Sequence, residues 1–124
     1  LFGRRDKRIG REDMMNAVKS DVEKLVQKEL ESADQKFPMF RSDHEGAAVI
    51  FEEIEEVESE LSGVRRMFAG AWYSIKHDEC IKSCSYISKL KNRATNLAIE
   101  AIQVAAMAQK FIDSQKERKQ NESN

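Results

Sequence analysis

From Ile50 onward, apolar residues return at alternating steps of four and three: Ile50, Ile54, Val57, Leu61, Val64, Phe68, Ala71 and Ile75. That rhythm turns one stripe of an α-helix toward a neighbour, whereas a strand would alternate every two residues. After a break predicted at Lys76 to Asp78, the same rhythm resumes in Ile87, Leu90, Ala94, Leu97, Ala101, Val104, Ala108 and Phe111. Two long helices joined by a short turn pack as antiparallel neighbours. One proline and five glycines in 124 residues leave too little turn chemistry for an all-β or α/β architecture. The expected fold class is therefore all-α, an antiparallel helical bundle with two long core helices plus an N-terminal helix.

The first helix is predicted from about Glu12 to Lys36, with Met14, Met15, Val18, Val22, Leu25, Val26 and Leu30 as its apolar stripe. Pro38 ends it, because proline disfavours helical geometry at Phe37 and has no amide hydrogen to donate. Ser42-Asp43-His44-Glu45 then reads as a capping box, in which the Ser42 hydroxyl accepts from the Glu45 amide and the Glu45 side chain reaches back to Ser42. Gly63 and Gly70 leave the period of the second helix undisturbed, with an extra break allowed for around Ala69 to Trp72. Seams of this length exceed what the first helix can cover, which predicts a homodimer or homotetramer.

The termini read as appendages to a single all-α domain over 12–114: a flexible basic arm at 1–11 and a disordered polar tail at 115–124. The five basic residues of the arm have no interleaved aromatics, so nucleic acid is not an expected partner. No apolar run reaches the length of about 18 residues that suggests a membrane span, and no signal-type core opens the chain, so a cytoplasmic protein with no membrane partner is expected. His77, Cys80 and Cys84 form H-x-x-C-x-x-x-C, which supplies three zinc ligands without an evident fourth; half-buried, reduced helical thiols are the expected alternative.

The stretch FEEIEEVESE, Phe51 to Glu60, holds six glutamates. At about 100° per residue, Glu45, Glu52, Glu53, Glu56 and Glu60 share an arc of about 100°. The positions four after Glu52, Glu53 and Glu56 are Glu56, Val57 and Glu60, so no Lys or Arg within the helix relieves the repulsion. Glu100 interrupts the apolar run LAIEAIQVAAMA, a costly place for an unpaired carboxylate. If the long helices are neighbours, Glu52, Glu53 and Glu56 converge with Glu100 and Gln103 on one hard cation, Mg²⁺ by ligand type. The competing expectation is a solvated acidic face, with Glu100 bonded to Arg65, Arg66 or Arg93.

The strings FPMFRSDHEGAAVIFEEIEE and EAIQVAAMAQKFI resemble the MazG-like nucleoside triphosphate pyrophosphohydrolases, particularly the short phage and mobile-element forms, over roughly residues 37 to 113. The family motif is EExxE on one helix and ExxD on a later one; Glu52, Glu53 and Glu56 match the first, and Glu100 the second, with Gln103 standing where the family generally has Asp. The resemblance implies an all-α, dimeric or larger enzyme that uses Mg²⁺, or Mn²⁺ in its place, to hydrolyse nucleoside triphosphates to monophosphate and pyrophosphate. It assigns metal and catalytic roles to Glu52, Glu53, Glu56 and Glu100, with Gln103 as a weaker oxygen donor. The spacing between Glu56 and Glu100 is longer than the family's. Trp72, Tyr73, Phe51 and Phe40 are candidates for stacking on a base, with Trp72 favoured as an interface residue. Lys89, Lys91, Arg93 and Lys110 are candidates for contacting the phosphates, against an ordinary solvent-facing role.

Overall fold

The computed structural model describes residues 4–123, with side chains from Ala17 onward. Three helices, α1 (Arg4–Lys36), α2 (Asp43–Lys76) and α3 (Cys80–Ser123), account for nearly all of it. No strand occurs among the described residues.

Each break has a local cause. The Phe37 amide makes the last helical link of α1, to Ala33 O at 2.9 Å, and Pro38 follows with no donor. Ser42 then caps α2 from an extended conformation, its hydroxyl accepting from the Glu45 amide at 3.1 Å. The reciprocal half of the expected capping box is displaced by one residue: the Glu45 carboxylate accepts from the Arg41 amide at 3.4 Å. At the other end of α2, the Asp78 amide donates to Ile75 O and the Glu79 amide to Ser74 O. Asp78 takes the left-handed φ of 57° that this pair of closing bonds requires.

α2 runs without interruption through Ala69 to Trp72, contrary to the extra break allowed for above. Gly70 serves packing here: a Cβ on it would lie 2.5 Å from the Tyr86 ring of α3. Gly46 does the same near the start of α2, where a Cβ would lie 2.6 Å from the Phe111 ring. These two approaches hold α2 and α3 close together at both ends of an antiparallel hairpin.

α1 packs on α3 rather than on α2. The core is correspondingly small: Leu30, Phe40, Ala71 and Ala106 are the buried apolar residues, accompanied by buried Ser74, Lys110 and Ser114. Phe40 is held there by α3, its amide donating to Ser114 Oγ at 3.0 Å and its carbonyl accepting from Arg118 Nη1 at 2.6 Å. Arg118 also pairs with Asp43, to which Gln115 donates at 3.3 Å.

These contacts overturn the expected polar tail. α3 continues to Ser123 because Gln115 and Arg118 fasten its last third to the α1–α2 connection. The expected non-helical arm is corrected in the same way from Arg4 onward, where α1 already begins; its long charged side chains are good helix formers. Leu1 to Gly3 lie outside the described residues.

The seam of α2 is divided in two. Val57 and Val64 are half-buried and Ala71 is fully buried on the side toward α3. Ile54, Leu61, Phe68 and Ile75 are exposed at 37%, 38%, 55% and 49%, Ile54 lining a groove with Ala108, Phe111 and Ile112 of α3. α1 is similar: Leu30 is buried, but Val18, Val22 and Leu25 remain exposed.

Candidate metal centre and cleft

α2 meets α3 along the side that carries Glu53 and Glu60, so part of the acidic arc is pressed against the other long helix. Glu53, Glu56 and Glu100 each bring one carboxylate oxygen into a group whose members all lie within 4.8 Å of one another. It is the only such group of potential metal ligands found among the described residues. Glu52 is not part of it; one residue before Glu53, it is turned about 100° away and is exposed.

Glu60 leaves the arc by another route, pairing with Arg93 of α3 at 3.4 Å. The competing expectation placed an arginine on Glu100, but the arginine found on this face serves Glu60 one turn away. Among the described residues no basic side chain pairs with Glu53, Glu56 or Glu100.

Electrostatics record the crowding. The Glu100 carboxyl is pushed up to about 7, first because its proton is shared with Glu56, then by desolvation and by repulsion from Glu56, Glu53 and Glu60. Glu53 is also raised, first by burial and then by Glu56, Glu52 and Glu29. Gln103 lies one turn beyond Glu100. With its amide nitrogen facing the carboxylates, it donates to Glu53 at 3.1 Å and to Glu100 at 2.9 Å. Gln103 is therefore a donor that relieves like charge. To act as the expected oxygen ligand, its amide must turn over.

Of the three carboxylates, Glu53 lines a cleft of about 380 Å³. Glu53 and Gln103 line one part of it, and Phe37, Pro38, Phe40 and Lys110 another. Lys110 follows Gln103 by seven residues, two turns and about 10 Å along the same face of α3. Its side chain is only 2% exposed, with Nζ 3.5 Å from Phe37 O, 3.8 Å from Asp34 Oδ1 and 5.2 Å from the centre of the Phe40 ring. A buried ammonium held by such long contacts retains capacity to bind an anionic or carbonyl oxygen.

Of the residues singled out from sequence, Glu53, Glu56, Glu100 and Gln103 come together, and Phe40 and Lys110 line the same cleft as Glu53 and Gln103. Lys110 had been grouped with Lys89, Lys91 and Arg93 as more ordinarily solvent-facing; of these, Lys89 and Lys91 are exposed and Arg93 is half-buried on Glu60. Glu29 and Asp34, both on α1, were missed altogether. A signal for Lys110 existed in its seven-residue step from Gln103. Glu29 and Asp34 had none, because their role depends on where α1 lies.

The cysteine segment does not form a second centre. Cys80 and Cys84 are free and exposed rather than half-buried. His77 is engaged elsewhere, its Nδ1 2.8 Å from Tyr73 O and its ring stacked on Tyr73 at 4.1 Å.

Comparisons with family models, curated proteins and solved structures find no match for this chain.

Proposed function

We propose that this chain is a Mg²⁺-dependent nucleoside triphosphate pyrophosphohydrolase of the MazG-like type, releasing pyrophosphate from a (d)NTP in nucleotide-pool clearance. The observation that carries the reading is the meeting of Glu53, Glu56 and Glu100 within 4.8 Å, without basic partners, beside a cleft that holds a buried lysine. Three carboxylates form an all-oxygen donor set suited to Mg²⁺, and to Mn²⁺ as a substitute, to which Gln103 would add an oxygen only with its amide turned over. When bound, such an ion supplies charge neutralisation for a triphosphate.

The chain's own residues supply the rest. Glu53 and Glu56 project from one helix turn and Glu100 from the facing helix, so a triphosphate is positioned where α2 and α3 meet. Gln103 sets the orientation of Glu53 and Glu100. Glu100, raised to about 7, would have to release its proton to hold a cation. Glu52 adds negative potential from the rim without joining the ligands. Phe37 and Phe40 offer apolar surface to the nucleoside, and Lys110 offers an ammonium to one of its oxygens. The active form in this reading is a cytoplasmic homodimer or homotetramer.

A second reading, a non-catalytic helical interaction module or a family member that binds nucleotide without turnover, is favoured by the uncovered residues of α2 and by Gln103 acting as a donor. Pyrophosphate release separates the two readings. A panel of canonical and modified NTPs and dNTPs is assayed with Mg²⁺, with EDTA, and with Glu53→Gln. Release that needs Mg²⁺ and disappears in the variant is expected. No release from any nucleotide, with no thermal shift on adding Mg²⁺ and nucleotide, leaves the interaction module.

A further inference from the structure

We propose that the closed end of the α2–α3 hairpin binds single-stranded DNA, with Phe68 and Trp72 stacking on bases and Arg65 and Lys76 meeting phosphates. The charge of the long helices is sharply divided. Asp43 to Glu60 holds eight acids and no Lys or Arg, whereas Ser62 to Arg93, across the turn, holds seven Lys and Arg against Asp78 and Glu79. Among the described residues, two of those seven cations have an ion-pair partner, Lys82 on Glu79 and Arg93 on Glu60. The other five, Arg65, Arg66, Lys76, Lys89 and Lys91, are exposed and make no ion pair, which suits them to an extended anion.

Aromatic rings are interleaved with these cations, the feature that the basic N-terminal arm lacks. At about 100° per residue, Arg65, Phe68, Trp72 and Lys76 fall within an arc of about 80° on α2, over a length of about 17 Å. Phe68 is exposed at 55% and Trp72 at 50%. Lys76 Nζ lies 5.7 Å from the centre of the Trp72 ring, so a base stacked on the exposed part of that ring has an ammonium beside its phosphate. Arg66 and Tyr73 follow about 100° further round the helix, with the Tyr73 ring stacked on His77. On α3 the same pairing recurs, Lys89 Nζ lying 5.7 Å from the centre of the Tyr86 ring.

The occupant follows from this chemistry. Exposed rings set between cations match a strand whose bases are unpaired, because a duplex keeps the faces of its bases stacked inside. DNA is favoured over RNA because the strip from Arg65 to Lys76 holds Phe68, Trp72 and Ile75 and no side-chain oxygen that would accept from a 2′-hydroxyl. An anionic membrane fits less well. Its headgroups would have to admit the apex, Lys76-His77-Asp78-Glu79, which is polar and carries both acids of the segment. The glutamates before Ser62 repel phosphates, which confines a strand to this end of the hairpin.

Titration of the full chain with an oligothymidylate of about 12 nucleotides, within the usual range of single-strand sites, tests the proposal in EDTA. Trp72 is the single tryptophan of the chain, so its emission reports on the site directly, and saturable quenching is expected. Raising salt from about 50 to about 200 mM is expected to weaken binding about 50-fold, from a slope near −0.7 for each of about four neutralised phosphates. With a labelled strand followed by anisotropy, Phe68→Ala is expected to weaken binding about tenfold. R65E/K76E is expected to weaken it and to flatten the salt slope by at least about 1.4, while K116E/K119E, the same charge change near the other end of α3, leaves it unaltered. Circular dichroism follows helix content, and should Phe68→Ala lose it, R65E/K76E decides. The proposal is overturned by no quenching and no anisotropy change up to about 100 μM protein, the weak limit of non-specific binding. Equal losses in R65E/K76E and K116E/K119E overturn it too, as does tighter binding of the matching duplex or RNA strand. Binding of phosphatidylserine vesicles by a chain that ignores the strand assigns the surface to membrane and overturns it as well. None of these readouts depends on pyrophosphate release, so the result stands apart from the proposed activity.

Discussion

Glu100→Gln is expected to stabilise the metal-free protein at pH 8. In the folded chain Glu100 titrates near 7 against an ordinary value of 4.5, so between those values the native state holds a proton that the unfolded chain has released. Stability therefore falls as pH rises through this window, and the full loss is present above about pH 7. The whole shift corresponds to at most about 3 kcal/mol; solvent reaching this partly exposed group reduces it to on the order of 1 kcal/mol. Gln mimics the protonated acid, keeping a donor for Glu56 and an acceptor for Gln103. The expected result is a Tm higher by about 3–6 °C at pH 8, shrinking to about a quarter of that gain at pH 5. Thermal melts in EDTA at fixed protein concentration measure it. A variant no more stable than wild type at pH 8, or equally stabilised at both pH values, would refute the argument that proton sharing and crowding set the behaviour of this group.

Mg²⁺ at about 100 times its Kd should add about 2.7 kcal/mol, less at pH 6 than at pH 8 because Glu100 must release its proton; a melt in which Glu53→Gln or Glu56→Gln keeps the shift would count against the cluster as the binding site. Gln103→Asp exchanges a donor for a carboxylate, so calorimetry should find divalent binding tightened by about tenfold or more and the metal-free form less stable at pH 8. Ser114→Ala strands the buried Phe40 amide, at an expected cost of about 1–3 kcal/mol in denaturant unfolding. Asp78→Gly removes side-chain strain at a left-handed position and should raise stability by up to about 1 kcal/mol.

Much of the architecture was legible along the chain. Pro38 stops a helix by its missing donor, Ser42 starts one by its hydroxyl, and the step of three and four continues past Gly63 and Gly70. The carboxylates of Glu53 and Glu56 were legible as neighbours because they occupy nearby angles on one helix. The C-terminal segment was misread because its stability is not local: α3 persists to Ser123 where Gln115 and Arg118 reach a connection more than seventy residues earlier in the sequence.

Angular position along a helix follows from about 100° per residue, so the sequence by itself determined that an acidic arc, an apolar seam and a mid-helix Glu100 would exist. It did not determine which of these faces would meet. Only the tertiary structure decided that α3 presses on α2 where Gly46 and Gly70 admit aromatic rings, pairing Arg93 with Glu60, gathering Glu53 and Glu56 around Glu100, and leaving Glu52 in water. Lys110 is buried instead against α1 and the α1–α2 connection, beside Asp34, Phe37 and Phe40, while Leu61, Phe68 and Ile75 stay exposed on α2. The physical reason is that one helix offers several faces of comparable apolarity, and the choice among them depends on the shape and charge of a partner helix dozens of residues away.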